Sequence, residues 1–440
     1  MSDTSFVRTE MLPEKAPPAT SIGIVGWLRE NLFSNWWNSI LTIICLVIIW
    51  YILSGVLGWT FQSVWNANSL TECREIMMAT WGETHGHACW GVIKDRWQQL
   101  LFGFYPNGSG ESADLRWRPI LAMVLLLVAL APILFAEKVS KNLLYVTAVY
   151  PFLMPWLMWG GTIWGPLGAA AGFVIGWLVS RYAGAALGSL GGLVAGVVAA
   201  VVWWFVLLGP VAGGLSAILP IGLEPVESRL FGGFMLAILL GVVAIGCSLP
   251  LGIVLALGRQ SDLVIVKSLC VGFIEFIRGV PLITLLFVAS TLLNIFLPPG
   301  TAFDIVLRVM IMMTLFSAAY MAEVIRGGLA ALPKGQYEGA DSLGLDYWQA
   351  QRLIIMPQAL KISIPGIVST FIGIFKDTTL VSIIGLLDPL GLANAIRSDT
   401  DWNGIYWELF AFIAAVFFVF CFGMSRYSMY LERKLQTDHR

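Results

Sequence analysis

Charge is what this sequence has least of. Only 12% of its 440 residues are Asp, Glu, Lys or Arg, against roughly 25% in ordinary soluble domains. A soluble chain of this length would be expected to hold about three domains, and its surface would need more charge than this. The net charge of −1 removes the basic footprint of a nucleic-acid binder and leaves no polybasic arm for attachment to a membrane surface. No Gly-Lys dipeptide occurs, so the lysine that follows a glycine turn to hold nucleotide phosphates is absent. The first 37 residues carry Pro17-Pro18 and mixed charges, and no cleaved signal peptide is expected from them.

Apolar residues are abundant instead. They make up 58% of the chain, and the mean hydropathy is +0.80. The reading is an all-α integral membrane protein. Windows of about 20 apolar residues centre on 40–58, 119–135, 142–159, 163–179 and 187–208 in the first half. The second half adds 231–257, 281–297, 303–321, 362–375 running on toward Ile384, and 405–424, so about ten transmembrane helices (8–10) are expected.

Short cytoplasmic loops retain Lys and Arg. With the N-terminus inside, Lys138, Lys141, Arg181, Arg259, Lys267, Arg278, Arg326, Lys334, Arg352, Lys361, Arg433 and Lys434 all fall inside, which predicts both termini to be cytoplasmic. The chain then divides into a tail over 1–37, a first span over 38–61 and an outer polar segment over 62–118. Accessory spans over 119–229 and a region over 230–440 follow, the latter holding a long cytoplasmic loop at 323–361.

Six cysteines are scattered. Cys45, Cys247, Cys270 and Cys421 lie in or beside apolar runs, where a thiol packs as a small hydrophobe. Cys73 and Cys89 share the outer segment, on the oxidising side, and a disulfide between them is predicted. Closing a loop of about 15 residues contributes on the order of 3 kcal/mol in the chain-entropy account. His85, His87 and Cys89 form an H-x-H-x-C string that with Cys73 is the alternative metal set, though it lacks an accompanying carboxylate pattern beyond Glu83. No metal is assigned.

Glycines recur every fourth residue at 168, 172 and 176, then at 184, 188, 192 and 196. Such a ridge lets helix backbones approach closely in lipid. It serves either packing of the fourth and fifth spans on each other or contact with a partner membrane subunit.

The cytoplasmic loop reads as two short helices. Pro333 suits a first helical turn and Gly344 a left-handed C-terminal cap. Asp346, with Gln349 three residues on, has capping-box spacing, and Pro357 is expected to stop the second helix.

Glu338-Gly339-Ala340, three residues, Gly344, nine residues, then Ile354-Ile355-Met356-Pro357 resembles the EAA-x3-G-x9-I-x-L-P loop of ABC-importer permeases. Gly339 and Met356 depart from that pattern by small or volume-conserving changes. The resemblance is closest to the permeases for polar amino acids (histidine, glutamate, glutamine, arginine and opines) and covers about 231–440. Phe273-Ile-Glu275-Phe-Ile-Arg278-Gly279-Val-Pro281, Ala319-Tyr320-Met-Ala-Glu323, Pro333 to Glu338 and Lys376-Asp377-Thr378-Thr379-Leu380 add to it. Ala88-Cys89-Trp90, Arg96-Trp97, Phe102 to Pro106 and Trp117-Arg118-Pro119 look like the extended general L-amino-acid permeases of the AapM type.

The resemblance implies an ABC-importer type I permease core over 230–440 and a bacterial inner (cytoplasmic) membrane location. It implies no enzyme activity and no cofactor in this chain, with ATP and Mg bound by a partner ATPase. Glu338, Gly339, Ala340, Asp341, Gly344, Ile354 and Pro357 would form the ATPase-docking loop. The implied partners are a second homologous permease, two ATPase subunits, a periplasmic amino-acid-binding protein, the lipid bilayer and an L-amino acid of broad or polar/acidic type. No nucleic acid is among them.

Ionisable groups in spans cost about 2.5 to 3.5 kcal/mol each on insertion scales and are functional candidates by default. Lys376 and Asp377 are adjacent, so they face different sides of a helix; they either meet substrate or pair with neighbouring helices. Asp304 and Arg308 stand four apart on one face, where an ion pair can form. Glu275 and Arg278 sit at a cytoplasmic boundary, where family position suggests an inner gate or loop packing.

Two other classes compete. A secondary transporter driven by an ion gradient should show two related halves, and these halves differ. A membrane-embedded enzyme needs a cluster of His, Cys, Asp or Glu at membrane depth, and the His and Cys string lies in the outer segment.

Overall fold

The computed structural model describes residues 23–84, 86–108, 113–296 and 304–436. These fall into two compact units, Met1–Gly91 and Val92–Arg440.

In the first unit α1 (Gly23–Asn31) leads to α2 (Trp36–Phe61), which Asn35 caps through the Asn38 amide. α2 is apolar throughout and none of its residues is buried, the pattern of a helix that needs lipid on every face. Beyond it β1 (Ser63–Val64) pairs in parallel with β2 (Ala88–Cys89), and α3 (Leu70–Trp81) lies between them in sequence. Ser69 caps the first turn of α3, and Gly82 closes its end at φ 76°. Cys73 on α3 and Cys89 on β2 are disulfide-bonded and fully enclosed. His87 stacks on Trp81 at 4.3 Å, while His85 of the alternative metal set lies outside the described residues.

The second unit is helical. Its elements are α4 (Gly91–Phe102), α5 (Trp117–Leu134), α6 (Leu144–Trp159), α7 (Trp164–Val202), α8 (Leu208–Ile218), α9 (Gly233–Gln260), α10 (Val264–Gly279) and α11 (Leu282–Phe296). There follow α12 (Ile305–Ala330), α13 (Lys334–Ser342), α14 (Tyr347–Ala350), α15 (Met356–Asp377), α16 (Pro389–Ile396) and α17 (Trp407–Gln436). Among the described residues eight helices are long and apolar enough to cross a membrane, or nine if the bent pair α10 and α11 counts as one.

Two expected windows come out short. The 142–159 window folds as the 16-residue α6, with Pro151 and Pro155 inside it. The 281–297 window begins 100° away from α10, because Val280 ahead of Pro281 is extended (φ −110°, ψ 133°) and a residue before proline avoids the helical region. The end of that window, 297 onward, lies outside the described residues.

The glycine ridge packs within its own hairpin. A methyl on Gly192 would stand 2.5 Å from the Gly184 Cα, and one on Gly196 2.5 Å from the Gly176 carbonyl. Gly188 is not part of the ridge: at φ 76°, ψ 172° it is the turn between the two arms, a conformation that side chains with a Cβ disfavour.

Side-chain and backbone contacts gather the connections at two ends. At the α9 N-terminal end Gly103 bridges Phe231, Gly232 bridges Leu387, and β3 (Gly161–Thr162) pairs with β4 (Gly222–Leu223). At the α9 C-terminal end Lys434 pairs with Glu137 at 2.6 Å and the Tyr427 hydroxyl donates to the Leu134 carbonyl. α9, α12 and α15 form the centre; a methyl on Gly252 of α9 would meet the Met321 side chain, and one on Gly328 of α12 the Ala359 carbonyl.

Candidate functional site

Three features line up along α12 and α15. At the α9 C-terminal end, α13 runs from Pro333, which takes extended angles before the first turn, to a last turn closed by Gly344 at φ 70°. The Gly344 amide donates to the Asp341 carbonyl and the Leu345 amide to that of Ala340. Asp346 then caps α14 through the Gln349 amide at 2.8 Å, and the Gln349 side chain returns to the Asp346 amide at 3.1 Å. This is the reciprocal arrangement that satisfies two orphan donors.

Pro357 does not stop the helix. A π-helical turn over Gln351–Ile355 joins α14 to α15, and the candidate span runs unbroken from Tyr347 to Ile384. The correction has a local cause: Pro357 lies in the first turn of α15, where a missing N–H and a fixed φ are tolerated, and a wider turn precedes it. The second helix of the loop is thus the root of a membrane span.

The loop residues separate by exposure. Glu338, Gly339, Asp341, Gly344 and Pro357 are exposed, whereas Ala340 is buried and Ile354 half-buried against Ile355 and Ala359. Around the exposed set stand Leu343 (74% exposed), Trp348 (70%) and Leu353 (64%). The sequence reading passed over them. Large apolar side chains exposed on a polar loop and at the root of a span need a partner protein or lipid to cover them.

About two turns before the end of α12, Glu323 collects three arginines. It lies 2.5 Å from Arg259 of α9, 3.0 Å from Arg326 and 3.7 Å from Arg278 of α10. Glu275 joins through Arg259 at 3.0 Å. Arg278 also lies over the Tyr320 ring, 5.6 Å from its centre. Sequence reasoning found Glu275 and Arg278 but not the hub, because Arg259 and Glu323 are 64 positions apart.

Tyr320 belongs to the third feature, a cavity of about 310 Å³ between α12 and α15, lined by Phe316, Ser317, Tyr320, Ser369, Thr370, Gly373, Ile374 and Asp377. Asp377 is half-buried there, and Lys376 is exposed. Asp304 caps α12 through the Leu307 amide, and Arg308, nearly buried, donates to the Ser290 carbonyl of α11. Neither residue lines the cavity.

Outside the spans, burial pushes the Asp388 carboxyl up to about 6, partly offset by the Leu390 and Gly391 amides it caps at the start of α16. The Arg116 guanidinium holds the exposed Asp114 carboxyl down at about 2.

A family profile described as "Binding-protein-dependent transport system inner membrane component" matches residues 248–437. Over 441 residues, spanning 100% of both chains, the sequence is 57% identical to the glutamate/glutamine/aspartate/asparagine transport system permease protein BztC of Rhodobacter capsulatus. This chain belongs to that family. It is 39% identical over 429 residues to the inner membrane amino-acid ABC transporter permease protein YhdY of Escherichia coli K12, covering 97% of this chain and 96% of that one. The probable glutamine ABC transporter permease protein GlnM of Bacillus subtilis is 30% identical over 213 residues, which are 95% of its length but 48% of this chain. The chain is therefore a multi-pass inner-membrane permease subunit of an amino-acid ABC importer, not an enzyme and with no cofactor of its own. Membership implies an ATPase and a substrate-binding protein as partners.

The Cys73–Cys89 bond has a direct check. The denatured protein, alkylated before and after reduction, should gain label at Cys73 and Cys89 only after reduction, while Cys45, Cys247, Cys270 and Cys421 label either way. Equal labelling of all six before reduction would remove the bond.

Proposed function

We propose that this chain forms the membrane path of an importer for glutamate, glutamine, aspartate and asparagine, with both termini in the cytoplasm. The observation that carries this reading is the 57% identity to BztC along the whole chain. The orientation is supported by Arg259, Lys267, Arg278, Arg326 and Lys334, all in or beside connections at the α9 C-terminal end, where short cytoplasmic loops keep positive charge. With α6 and α11 counted as crossings, ten passes return the C-terminus to the side of the N-terminus. The same reading gives the outer segment over 62–118, accessory spans over 119–229 and the core over 230–440.

The complex would hold a second homologous permease, two cytoplasmic ATPases that bind ATP and Mg, and a periplasmic binding protein. The exposed Glu338, Gly339 and Asp341 enter a groove on the ATPase, with Leu343, Trp348 and Leu353 as its apolar anchors, and Ala340, Gly344, Ile354 and Pro357 hold the loop's shape. α15 then acts as a rod of about 33 Å for its 22 residues at 1.5 Å each, carrying movement of the docking loop to Asp377. In the cavity the Asp377 carboxylate meets the α-ammonium group common to all four substrates, which leaves acid and amide side chains without a charged reader. Glu275 and Arg278 serve the inner gate together with Glu323. Lys376, Asp304 and Arg308 position the helices that frame the path.

Reconstitution tests the reading. Proteoliposomes holding the permease pair, the ATPases and loaded binding protein should accumulate labelled glutamate, glutamine, aspartate and asparagine only with ATP inside the cytoplasmic compartment. Accumulation without the ATPases, driven by a sodium or proton gradient, would replace it with secondary transport.

A further inference from the structure

At the α9 C-terminal end, α10 does not run back along the helix it follows. α9 ends at Gln260, with Arg259 in its last turn. Were α10 the second arm of a hairpin with α9, Glu275 would lie about 17 Å beyond Val264 toward the far end of α9, out of reach of the Arg259 side chain. Yet Arg259 Nη1 meets Glu275 at 3.0 Å. Cys270 Sγ likewise lies where a methyl on Gly258 would stand. Two well-separated residues of α10 thus meet the same last turn of α9, and Arg278 goes on to Glu323 of α12 at 3.7 Å. α10 therefore crosses the ends of α9 and α12, and α11 leaves it at a bend of 100°. The length agrees: 16 residues make a helix of about 24 Å, short of the roughly 30 Å hydrocarbon core.

The helix has three unlike flanks. Ile274 is buried in one cluster with Ala256, Met321 and Ile325, and Ile277 is buried on the same flank. Ile265, Leu269 and Phe276 form the second flank and are 76%, 69% and 64% exposed. Gly272 falls on that face too, with open space around it. Lys267, Ser268, Glu275 and Arg278, all exposed, form the third. At 3.6 residues per turn the centres of these flanks stand about a third of a turn apart.

An apolar flank beside a charged one is the pattern of a helix lying in the plane of a membrane surface, with its apolar side at the acyl boundary and its charges in water. The charges on α10 nearly balance, and Glu275 and Arg278 are already committed to Arg259 and Glu323. Burial of the apolar flank, rather than attraction to anionic headgroups, is what holds such a helix down. Continuity names the occupant. α11, entered directly from the bend, exposes Phe287 and Val288, as a span in lipid does, so lipid already stands at the corner from which the apolar flank extends.

We propose that α10 lies in the headgroup layer of the inner leaflet, with Ile265, Leu269 and Phe276 in the acyl boundary and Lys267, Ser268 and Glu275 in the cytoplasm. Phospholipid is then the partner of this face, and the leaflet supports the α10 side of the Glu323 joint. The choice of leaflet rests on the orientation given under the proposed function; the position of the helix in the plane of the membrane does not.

The test uses the whole permease–ATPase complex in phospholipid nanodiscs, with Cys45, Cys247, Cys270 and Cys421 replaced by alanine and the Cys73–Cys89 bond kept. Nitroxides are placed one at a time through Ile265→Cys, Leu269→Cys, Phe276→Cys and Ser268→Cys, and variants with the parent's thermal midpoint are read. The labels at 265, 269 and 276 should be more accessible to oxygen than to a water-soluble nickel chelate, at depths within about one helical pitch, 5 Å, of each other. The label at 268 should show the reverse preference. A depth difference near 17 Å between 265 and 276 would make α10 half of a span and overturn the proposal. Immobile labels at 265, 269 and 276, shielded from both probes, would overturn it in favour of a second membrane subunit on this face. Ready access of the nickel chelate to all four would put the face in water and overturn it as well. A separate arm reads the leaflet: an impermeant maleimide should label Ser268→Cys in inverted vesicles and not in right-side-out ones. The opposite result would overturn the orientation and move the helix to the outer leaflet, whatever the nitroxide depths.

Discussion

Glu338→Lys should abolish ATP-driven uptake and prevent the ATPase from co-purifying, while membrane insertion and the thermal midpoint of the permease stay near wild type. Glu338 is exposed on α13, and its side chain forms none of the contacts that shape the loop. Those contacts are the backbone bonds to Gly339, Ala340 and Asp341, the Asp346–Gln349 cap and the burial of Ala340. The fold therefore has little to lose. A docked carboxylate replaced by a cation loses its partner and adds a like-charge contact, and such changes at buried interfacial charges cost about 2 to 5 kcal/mol. At the upper end that is more than a thousandfold in affinity. Trp348→Ala should weaken the same association by about 2 kcal/mol, as large aromatic anchors do, and it removes no charge. Pull-down from detergent-solubilised membranes, with uptake in the same cells, measures both. Normal uptake by Glu338→Lys would take the docking role away from α13.

Local chemistry was the legible part of this chain. Eight of the apolar windows, the Gly344 turn and the Asp346–Gln349 box are set by residues within a few positions of each other, and each is found where its spacing predicts. Pro357 was misread because proline ends a helix only when no first turn or widened turn accommodates it, and the π-helical turn ahead of it is not written in any short pattern. Gly188 was misread for the opposite reason. Its spacing fits the ridge, but a hairpin needs one residue at positive φ, and any of the seven glycines satisfies that need equally well on paper.

Partners from distant segments were not legible at all. Glu323 draws on α9, α10 and its own helix, and Trp402 answers Asp95 across 307 positions. Composition and periodicity report which face a residue occupies, not which residue of another helix faces it. The exposed Leu343 and Trp348 were overlooked because the loop was read for motif letters, and a motif names what a family shares rather than what a surface presents.

Glu323→Gln should lower the stability of the solubilised protein by about 3 kcal/mol, the low end for breaking a buried ion network, and should reduce uptake more than tenfold. Glu323 is the least exposed member of the cluster, at 17%, and among the described residues it is the carboxylate that pairs with both Arg278 and Arg326. Its neutralisation leaves Arg259, Arg278 and Arg326 gathered around one point with Glu275 as their remaining acid, itself 54% exposed. Arg326→Gln is the contrast. Arg326 is 43% exposed, and an ion pair so open to solvent contributes about 0 to 1 kcal/mol, so its loss should barely move the thermal midpoint. The functional consequence follows from Arg278, which touches Glu323 on one side and the Tyr320 ring on the other. Tyr320 lines the cavity that holds Asp377. Release of Arg278 from Glu323 disturbs the wall of that cavity as well as the junction of α9, α10 and α12. Thermal unfolding of the three proteins in one detergent, beside uptake normalised to the amount in the membrane, separates the two effects. Equal midpoints for Glu323→Gln and Arg326→Gln would mean that the cluster is a solvated surface feature rather than the joint that closes the inner end of the path.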